Sequence, residues 1–321
     1  MIRLLGMGNA LTDVLMPIES DELLNVLGLP KGSMQLIDQE QFYRIRTQVS
    51  DLPRQLVCGG SAANTVTGAS KLGVSSGFIG KVNDDEVGLN YQHDLQYHGV
   101  NSHLLKGDQA SGQSLVFISP DGERTFATYL GAAANLLPED IHPELFRNSD
   151  LFYLEGYLVQ NHDLFLKAVE MAKKEGMKVA LDLASYNVVE ENLDFLNQII
   201  ASSVDIVFAN EEEAKALTGF QPEEALECIA KQVNIAVVKI GARGAMAIRG
   251  EERVLVPAVA ANCVDTTGAG DLFAAGFIYG MSNGRSLEEC TRYGTITAGK
   301  VIEVVGPKMS NSVWEKVRSD F

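Results

Sequence analysis

The stretch "SDLFYLEGYLVQNHDLFLKAVEMAKKEGMKVALDL" (149–183) decides the fold class. It opens with a short apolar run at 149–156, which is typical of a buried strand. The segment 163–176 has the periodicity of a helix and ends at Gly176, a residue type that favours a helix C-terminus. A second apolar run at 177–183 follows directly. Strand, helix and strand in this order predict part of a parallel sheet.

The same alternation continues toward the C-terminus. Apolar strands are predicted at 205–210 and 235–241, with the helical segments "EEEAKALTG" and "PEEALECIAKQ" between them. The alternation predicts an α/β fold in which helices cover both faces of a mainly parallel sheet. Two N-terminal pieces fall outside this pattern, because 114–129 indicates a hairpin with a Pro-Asp-Gly turn and 12–38 has few helix signals. We expect these two pieces to form a small β-rich flap beside the main sheet.

Composition narrows the class of protein. The 321 residues contain no linker-like tract and no internal repeat, which favours one continuous domain, 1–321. A net charge of −16 argues against a nucleic-acid partner, because phosphate-backbone binding needs a basic face. No apolar run approaches the roughly 20 residues of a membrane span. Four widely spaced cysteines and no signal-like segment favour reduced thiols and a cytoplasmic location.

The segment "DTTGAGDLFAAGFIYG" (265–280) combines a glycine-rich turn with the start of an apolar helix. Glycines at 268 and 270 let backbone N–H groups point into one space, where the helix dipole adds positive potential. Such a turn binds anions. Asp271 then has two interpretations: a favourable charge against the helix dipole, or a base that accepts a proton from a substrate hydroxyl during phosphoryl transfer. The segment alone leaves both open.

Neither standard nucleotide-binding loop is present in the sequence. The stretch "GTITAGKV" (294–301) has the P-loop spacing, but Val301 stands where Ser or Thr would bind magnesium, so a helix is expected instead. The stretch "GMGNAL" (6–11) begins like a dinucleotide fingerprint, but Leu11 stands where the third glycine belongs.

A second glycine-rich segment, "CGGSAANTVTGASKLG" (58–73), predicts a Gly-Gly turn followed by a helix of small residues. Close helix packing explains most of the small residues. It does not explain Asn64, whose amide offers donors and an acceptor to a polyhydroxylated ligand.

Two long segments, "GGSAANTVTGASKLGVSSGFIGKVNDDEVG" (59–88) and "DTTGAGDLFAAGF" (265–277), resemble the two signature segments of the ribokinase-like (PfkB) carbohydrate kinase family, in the same order. The stretches "GNALTD" (8–13), "DIVFANEEEA" (205–214) and "VVKIGARGA" (237–245) extend the resemblance over practically the whole chain. Within the family, segments such as "KGSMQLID" and "YLEGYLV" most resemble the bacterial adenosine-kinase-like branch.

The resemblance implies a three-layer α/β/α sandwich with a β-sheet lid, formed by about 12–38 and 108–130. It also implies a kinase that transfers phosphate from ATP to a hydroxymethyl group by direct in-line attack, with adenosine as the first expectation. A kinase for fructose, ribose or 2-keto-3-deoxygluconate is the alternative, because many sugar kinases of the family share the form "DTTGAGD". A ligand-binding sensor on the same fold is the non-enzyme alternative. The protein is expected to be a monomer or a homodimer through the lid.

The resemblance also implies roles for individual residues. Asp271 is the general base, and the anion hole is formed by Gly268, Ala269 and Gly270. The acceptor pocket is formed by Asn9, Asp13, Gly59, Gly60, Asn64 and Arg124. ATP and Mg²⁺ are positioned by Asn210, Glu213, Lys239, Gly241 and Gly244, with Glu213 acting on Mg²⁺ through water. A monovalent cation such as K⁺ is expected at Asp265 and Thr267. From the residues alone, Glu213 could equally lie in a solvated helix start, Lys239 could be a surface lysine and Arg124 a turn charge.

Overall fold

The computed structural model describes residues 2–321, which form a nine-stranded sheet and a five-stranded sheet. The strands are β1 (Arg3–Met7), β2 (Leu11–Pro17), β3 (Met34–Leu36), β4 (Gln55–Cys58), β5 (Ser75–Val82), β6 (Val100–Lys106), β7 (Gly112–Ile118), β8 (Arg124–Tyr129), β9 (Leu151–Glu155), β10 (Lys178–Asp182), β11 (Ile206–Asn210), β12 (Ile235–Lys239), β13 (Ala245–Arg249) and β14 (Glu252–Val256). The α-helices are α1 (Glu22–Leu27), α2 (Gln39–Gln48), α3 (Ser61–Lys71), α4 (Glu86–Tyr97), α5 (His162–Lys174), α6 (Tyr186–Glu191), α7 (Leu193–Ser203), α8 (Glu211–Thr218), α9 (Pro222–Ala230), α10 (Ala269–Ser282), α11 (Leu287–Val301) and α12 (Asn311–Asp320).

The large sheet has the strand order β14-β13-β12-β11-β10-β9-β1-β5-β6. The seven strands β12-β11-β10-β9-β1-β5-β6 are all parallel to one another. At the β12 edge, β13 and β14 continue the sheet with antiparallel pairing. The predicted unit at 149–183 is found as β9, α5 and β10, with β9 and β10 paired in parallel. The predicted α/β class and the mainly parallel sheet are therefore confirmed.

Helices cover both faces of the large sheet. Neighbouring residues of a strand point to opposite faces, and the fully buried Phe152 and Tyr153 of β9 belong to two different apolar clusters. Helices α5, α7, α8 and α9 contribute to the cluster that contains Phe152, whereas α3, α10, α11 and α12 contribute to the cluster that contains Tyr153. The stretch 294–301 lies inside α11, as expected of a helix. Of the helices formed by residues 2–321, none has the length and apolar character that crossing a bilayer requires.

The small sheet has the order β3-β8-β7-β2-β4 and its own apolar cluster, to which α1 and α2 contribute. The predicted hairpin at 114–129 is confirmed as the antiparallel pair β7 and β8. The small sheet includes one strand outside the two segments expected to form it, since β4 pairs with β2. Helix α2, also outside those segments, shares the apolar cluster of this sheet. A strand of four residues is too short to show an alternating pattern, which is why β4 was not predicted.

Candidate active site

Polar residues follow the strands along one edge of the large sheet. Glu155, Asp182, Asn210 and Lys239 are the last residues of β9, β10, β11 and β12, and Asn9 lies two residues after β1. Because these strands are parallel, their carboxyl ends meet at the same edge, where open α/β sheets bind ligands.

Asp271 lies in the first turn of α10 and contacts the first turn of α3. Its Oδ1 accepts a hydrogen bond from Ser61 Oγ at 2.7 Å, and its Oδ2 accepts one from Asn64 Nδ2 at 2.9 Å. Burial raises the pKa of Asp271 to about 6, and the donors on Asn64 and Ser61 limit that rise. The two glycine-rich segments therefore meet at a carboxylate that is ionised at neutral pH but more basic than an ordinary aspartate.

The turn before α10 requires glycine. Gly268 has φ +78°, and a Cβ atom there would lie 2.6 Å from Pro307 Cβ. The Ala269 N–H donates to Thr266 O at 3.1 Å, so it is not free for an anion. Within residues 2–321, the N–H groups of Gly268 and Gly270 have no acceptor. Of the three residues in the predicted anion hole, Gly268 and Gly270 therefore have N–H groups free for an anion at the positive end of the α10 dipole, and the anion hole itself stays a prediction.

Lys239 lies inside a group of carboxylates. Its Nζ donates to Asp182 Oδ2 at 3.1 Å, and its side chain is 15% exposed. Burial lowers the pKa of Lys239, but Asp182, Glu213 and Asp271 outweigh this effect and raise it above the ordinary value. A Cβ atom on Gly270 would lie 3.1 Å from Lys239 Nζ, so the ammonium group adjoins the start of α10. The surface-lysine interpretation is wrong.

Asn210 and Glu213 form a reciprocal cap at the start of α8. Glu213 N donates to Asn210 Oδ1 at 2.8 Å, while Asn210 N and Nδ2 donate to the Glu213 carboxylate at 2.8 and 2.7 Å. Glu213 is buried, which contradicts a solvated helix start. Burial raises the pKa of Glu213 to about 7, and Lys239 acts in the opposite direction.

The carboxylates of Asp182 and Glu213 fit a site for Mg²⁺ held largely by water. Among residues 2–321, no three His, Cys, Asp or Glu side chains are grouped closely enough to hold a metal by themselves. Mg²⁺ in phosphoryl-transfer sites keeps several waters and uses one or two carboxylates together with substrate phosphates. Burial raises the pKa of Glu213, and a cation bound nearby would oppose that rise, as Lys239 does.

Glu155 holds Asn9 and the start of α3 together. Its carboxylate accepts hydrogen bonds from Asn9 N at 2.8 Å, Asn9 Nδ2 at 2.9 Å and Ala62 N at 3.0 Å. Burial raises the pKa of Glu155 to about 7, while these backbone donors oppose the rise. A Cβ atom on Gly8 would lie 2.2 Å from Glu155 Oε2, which explains the glycine at this position.

The Gly59-Gly60 turn brings α3 close to Asn9. Gly60 has φ +94°, and a Cβ atom there would lie 2.3 Å from Asn9 O. Gly59 is fixed on both sides, since its N–H donates to Leu11 O at 2.8 Å and its carbonyl accepts from Tyr91 Oη at 2.8 Å. The turn thus requires glycine at 60, and the place of both glycines in the acceptor pocket stays a prediction.

The small sheet contributes two predicted residues, Asp13 and Arg124, and Arg124 contacts the loop before α10. Asp13 lies between the buried Thr12 and Val14 of β2, so it points to the opposite face of that sheet. Burial raises the pKa of Asp13 to about 6, with Arg124 opposing and Asp265 reinforcing the rise. Arg124 Nη1 lies 3.3 Å from Asp265 Oδ2, so Arg124 joins the small sheet to the loop before α10 instead of being a free turn charge.

Asp265 and Thr267 do not fit the expected monovalent-cation site. Asp265 Oδ1 accepts from Thr267 N at 3.0 Å and from Thr267 Oγ1 at 2.7 Å, and Oδ2 accepts from Gly306 N at 2.8 Å and pairs with Arg124. The Arg124 guanidinium already balances the carboxylate charge. We therefore derive no step through a monovalent cation.

Gly241 and Gly244 form the turn between β12 and β13, close to Lys239 in sequence. Gly244 has φ +107°, and a Cβ atom there would lie 2.0 Å from Val256 O. The turn itself therefore requires glycine at 244, and contact of these residues with a nucleotide stays a prediction.

Tyr157, which was not predicted, lies just after β9 and is 40% exposed. Burial of its hydroxyl raises the pKa of Tyr157 to about 12, and the charges of Glu155, Glu213 and Asp271 add to the rise. A partly exposed tyrosine thus lies near the carboxylates. Glu155 and Asp182 were also missed, although each is an acidic residue at the end of a predicted strand.

A carboxylate beside helix-terminal amides, on an α/β fold with a second small sheet, is the arrangement expected of an α/β phosphotransferase. The sequence matches the pfkB family of carbohydrate kinases over residues 36–314, and the chain belongs to this family. It is therefore an ATP-dependent carbohydrate or nucleoside kinase.

Relatives within this family differ in their acceptors. The crystal structure of adenosine kinase from Sinorhizobium meliloti is 37% identical, with a TM-score of 0.86 over 100% of this chain and 99% of that one. A probable sugar kinase from Rhizobium etli CFN 42 is 35% identical, with a TM-score of 0.86 over 99% of this chain and 98% of that one. The ribokinase of Arabidopsis thaliana is 30% identical over 78% of this chain and 69% of that protein. The family is thus established, and its members differ in the acceptor that they are named for.

Proposed function

We propose that this kinase phosphorylates the 5′-hydroxymethyl group of adenosine to give AMP, with ATP as the phosphoryl donor. The observation that carries the proposal is the placement of Asp271, whose carboxylate lies at the start of α10 beside the free amides of Gly268 and Gly270. A base next to an anion hole suits the activation of a hydroxyl beside a transferring phosphoryl group.

In this mechanism Asp271 accepts the proton of the acceptor hydroxyl. Its pKa of about 6 keeps it ionised at neutral pH and makes it a better proton acceptor than an unperturbed aspartate. Gly268 and Gly270 donate N–H groups to the phosphoryl oxygens, and Lys239 supplies positive charge next to them. Mg²⁺ near Glu213, when bound, neutralises charge on the phosphates.

The small sheet contributes to the proposed acceptor pocket. Asp13 presents a carboxylate that can accept hydrogen bonds from vicinal ribose hydroxyls, and Asn9 Oδ1, which accepts no hydrogen bond from residues 2–321, offers a further acceptor. The Arg124–Asp265 pair holds this sheet, acting as a lid, against the loop before α10. Such closure excludes water, which favours transfer to the acceptor over hydrolysis of ATP.

Tyr157 favours a nucleoside over a free sugar. Tyr157 is 40% exposed, and an aromatic side chain near the carboxylates can stack on a purine, whereas a free sugar has no aromatic ring. The match to an adenosine kinase over the full length of the chain points the same way. The relation to a ribokinase supports the alternative, a sugar kinase on the same catalytic residues.

The test is ADP release from Mg-ATP with adenosine, inosine, ribose, fructose and 2-keto-3-deoxygluconate as separate acceptors. The proposal predicts the highest kcat/KM for adenosine. A higher value for a free sugar would overturn the nucleoside assignment. Ligand binding without turnover on any acceptor would favour the sensor alternative.

A further inference from the structure

The side-chain amide of Asn64 has its nitrogen at Asp271 and its oxygen buried in the protein interior. Its Nδ2 donates to Asp271 Oδ2, and its Oδ1 is buried without a hydrogen-bond partner among residues 2–321. The residue is 7% exposed. A buried amide oxygen without a partner is destabilising, so a group that donates to it would also fix the orientation of the amide.

The far side of Asn64 lines a small cavity of about 10 Å³ between α3, the end of α4 and the segment before α12. Thr67 lines the same cavity, three residues along α3, and its buried hydroxyl also lacks a partner. A buried helical threonine commonly donates to the carbonyl four residues earlier, as Thr291 does to Leu287 O at 2.8 Å. The Thr67 hydroxyl is therefore available to the cavity.

His98, which follows α4, also lines the cavity, and its Nδ1 is a third buried atom without a partner. His98 Nε2 lies 3.4 Å from Asp94 Oδ1, which favours the tautomer with the proton on Nε2 and leaves Nδ1 as an acceptor. Asp94 Oδ2 in turn accepts from Lys308 Nζ at 2.9 Å. A charged pair thus anchors the histidine.

Resting on the proposed function of Asp271 as the base, we propose that one buried water fills this cavity and makes Thr67 a positioning residue for Asn64. The volume is about what one water molecule needs, and three of the lining residues each have a buried polar atom without a partner. The water donates to Asn64 Oδ1 and His98 Nδ1 and accepts from Thr67 Oγ1. Lys71 and Lys308 on the wall disfavour a cation, and the two acceptor atoms disfavour an anion.

Crystal structures of the wild type and of Thr67→Val test the water. The expected result is a water within hydrogen-bond distance of all three atoms in the wild type, its loss in Thr67→Val, and a longer Asn64–Asp271 distance in the variant. An empty cavity in the wild type, or an unchanged Asn64–Asp271 distance in Thr67→Val, would overturn the proposal. This readout does not need turnover, so it is independent of the proposed function.

Kinetics test the positioning role. Thr67→Val is expected to lower kcat/KM for adenosine roughly fivefold, the effect of one neutral hydrogen bond, with the KM for ATP unchanged. Thr67→Ser should restore the wild-type value. The matched control is Thr291→Val, which removes a buried hydroxyl from α11 and should leave both constants unchanged. Equal losses in Thr67→Val and Thr291→Val, or no rescue by serine, would refute the role. A wild type without turnover would refute the proposed function, and the crystal structures would still decide the inference.

Discussion

Replacing Asp271 by asparagine separates its catalytic role from its effect on stability. The variant keeps an oxygen that can accept from Ser61, and Asn64 can rotate its amide to present Oδ1 to the new NH₂ group. The fold should therefore tolerate Asp271→Asn. The base is lost, so we expect kcat to fall about 10²-fold or more.

The same change should stabilise the protein at neutral and alkaline pH. The pKa of Asp271 rises from 3.8 to about 6 on folding, so ionising it in the folded protein costs roughly 3 kcal/mol at most. The unfolded chain ionises first, so wild-type stability falls as the pH rises from about 4 to about 6. The advantage of Asp271→Asn is therefore full above about pH 6 and is lost as the pH falls toward 4.

The assays are ADP release with adenosine and thermal unfolding of both proteins at several pH values. At alkaline pH the Tm of Asp271→Asn should exceed that of the wild type by roughly 3–6 °C. The matched control is Asp150→Asn at the other end of the sheet, where a hydrogen bond from Arg3 lowers the pKa of the carboxyl to about 2. That variant should keep kcat and gain no stability. Near-normal turnover of Asp271→Asn, or a lower Tm at alkaline pH, would refute the account of this carboxylate.

Three further predictions concern the pocket. Wild-type kcat/KM should fall as the pH drops below about 6, because Asp271 and Asp13 take up protons; a pH–rate profile that stays flat to about pH 5 would contradict this. Tyr157→Ala should raise the adenosine KM roughly tenfold through lost stacking, with Tyr157→Phe near wild type; steady-state kinetics showing equal losses in both variants would exclude stacking. Asp13→Ala should raise the KM for the acceptor far more than the KM for ATP, and equal increases would argue against its place in the pocket.

The large sheet was predictable because its strands are continuous apolar runs separated by amphipathic helices. Burial on both faces leaves such strands with little choice of residue type, as the run 149–156 shows. The small sheet was harder to predict. Its strand β4 has four residues, and it is stabilised by pairing with β2, whose paired residues lie 40 to 46 positions earlier.

Within the site, residues inside the long glycine-rich segments were predictable, and isolated residues were not. Asp271 and Asn64 belong to the quoted segments, and they hydrogen-bond across 207 positions of sequence. Glu155 and Asp182 are isolated acidic residues at strand ends, and their hydrogen-bond partners come from distant parts of the chain. One local signal could have identified them, since an acidic residue closing a buried parallel strand faces the ligand-binding edge. The contact of Lys239 with carboxylates could not be predicted without knowing the order of the strands in the sheet.

The most direct test of the central claim is a competition in a single reaction. Adenosine, ribose, fructose and 2-keto-3-deoxygluconate at equal concentrations share limiting Mg-ATP, and mass spectrometry identifies the phosphorylated products, whose ratio reports the ratio of kcat/KM values. The account predicts AMP as the dominant product with wild-type protein and its loss with Asp271→Asn. A sugar phosphate as the dominant product, or AMP formed equally well by Asp271→Asn, would contradict it.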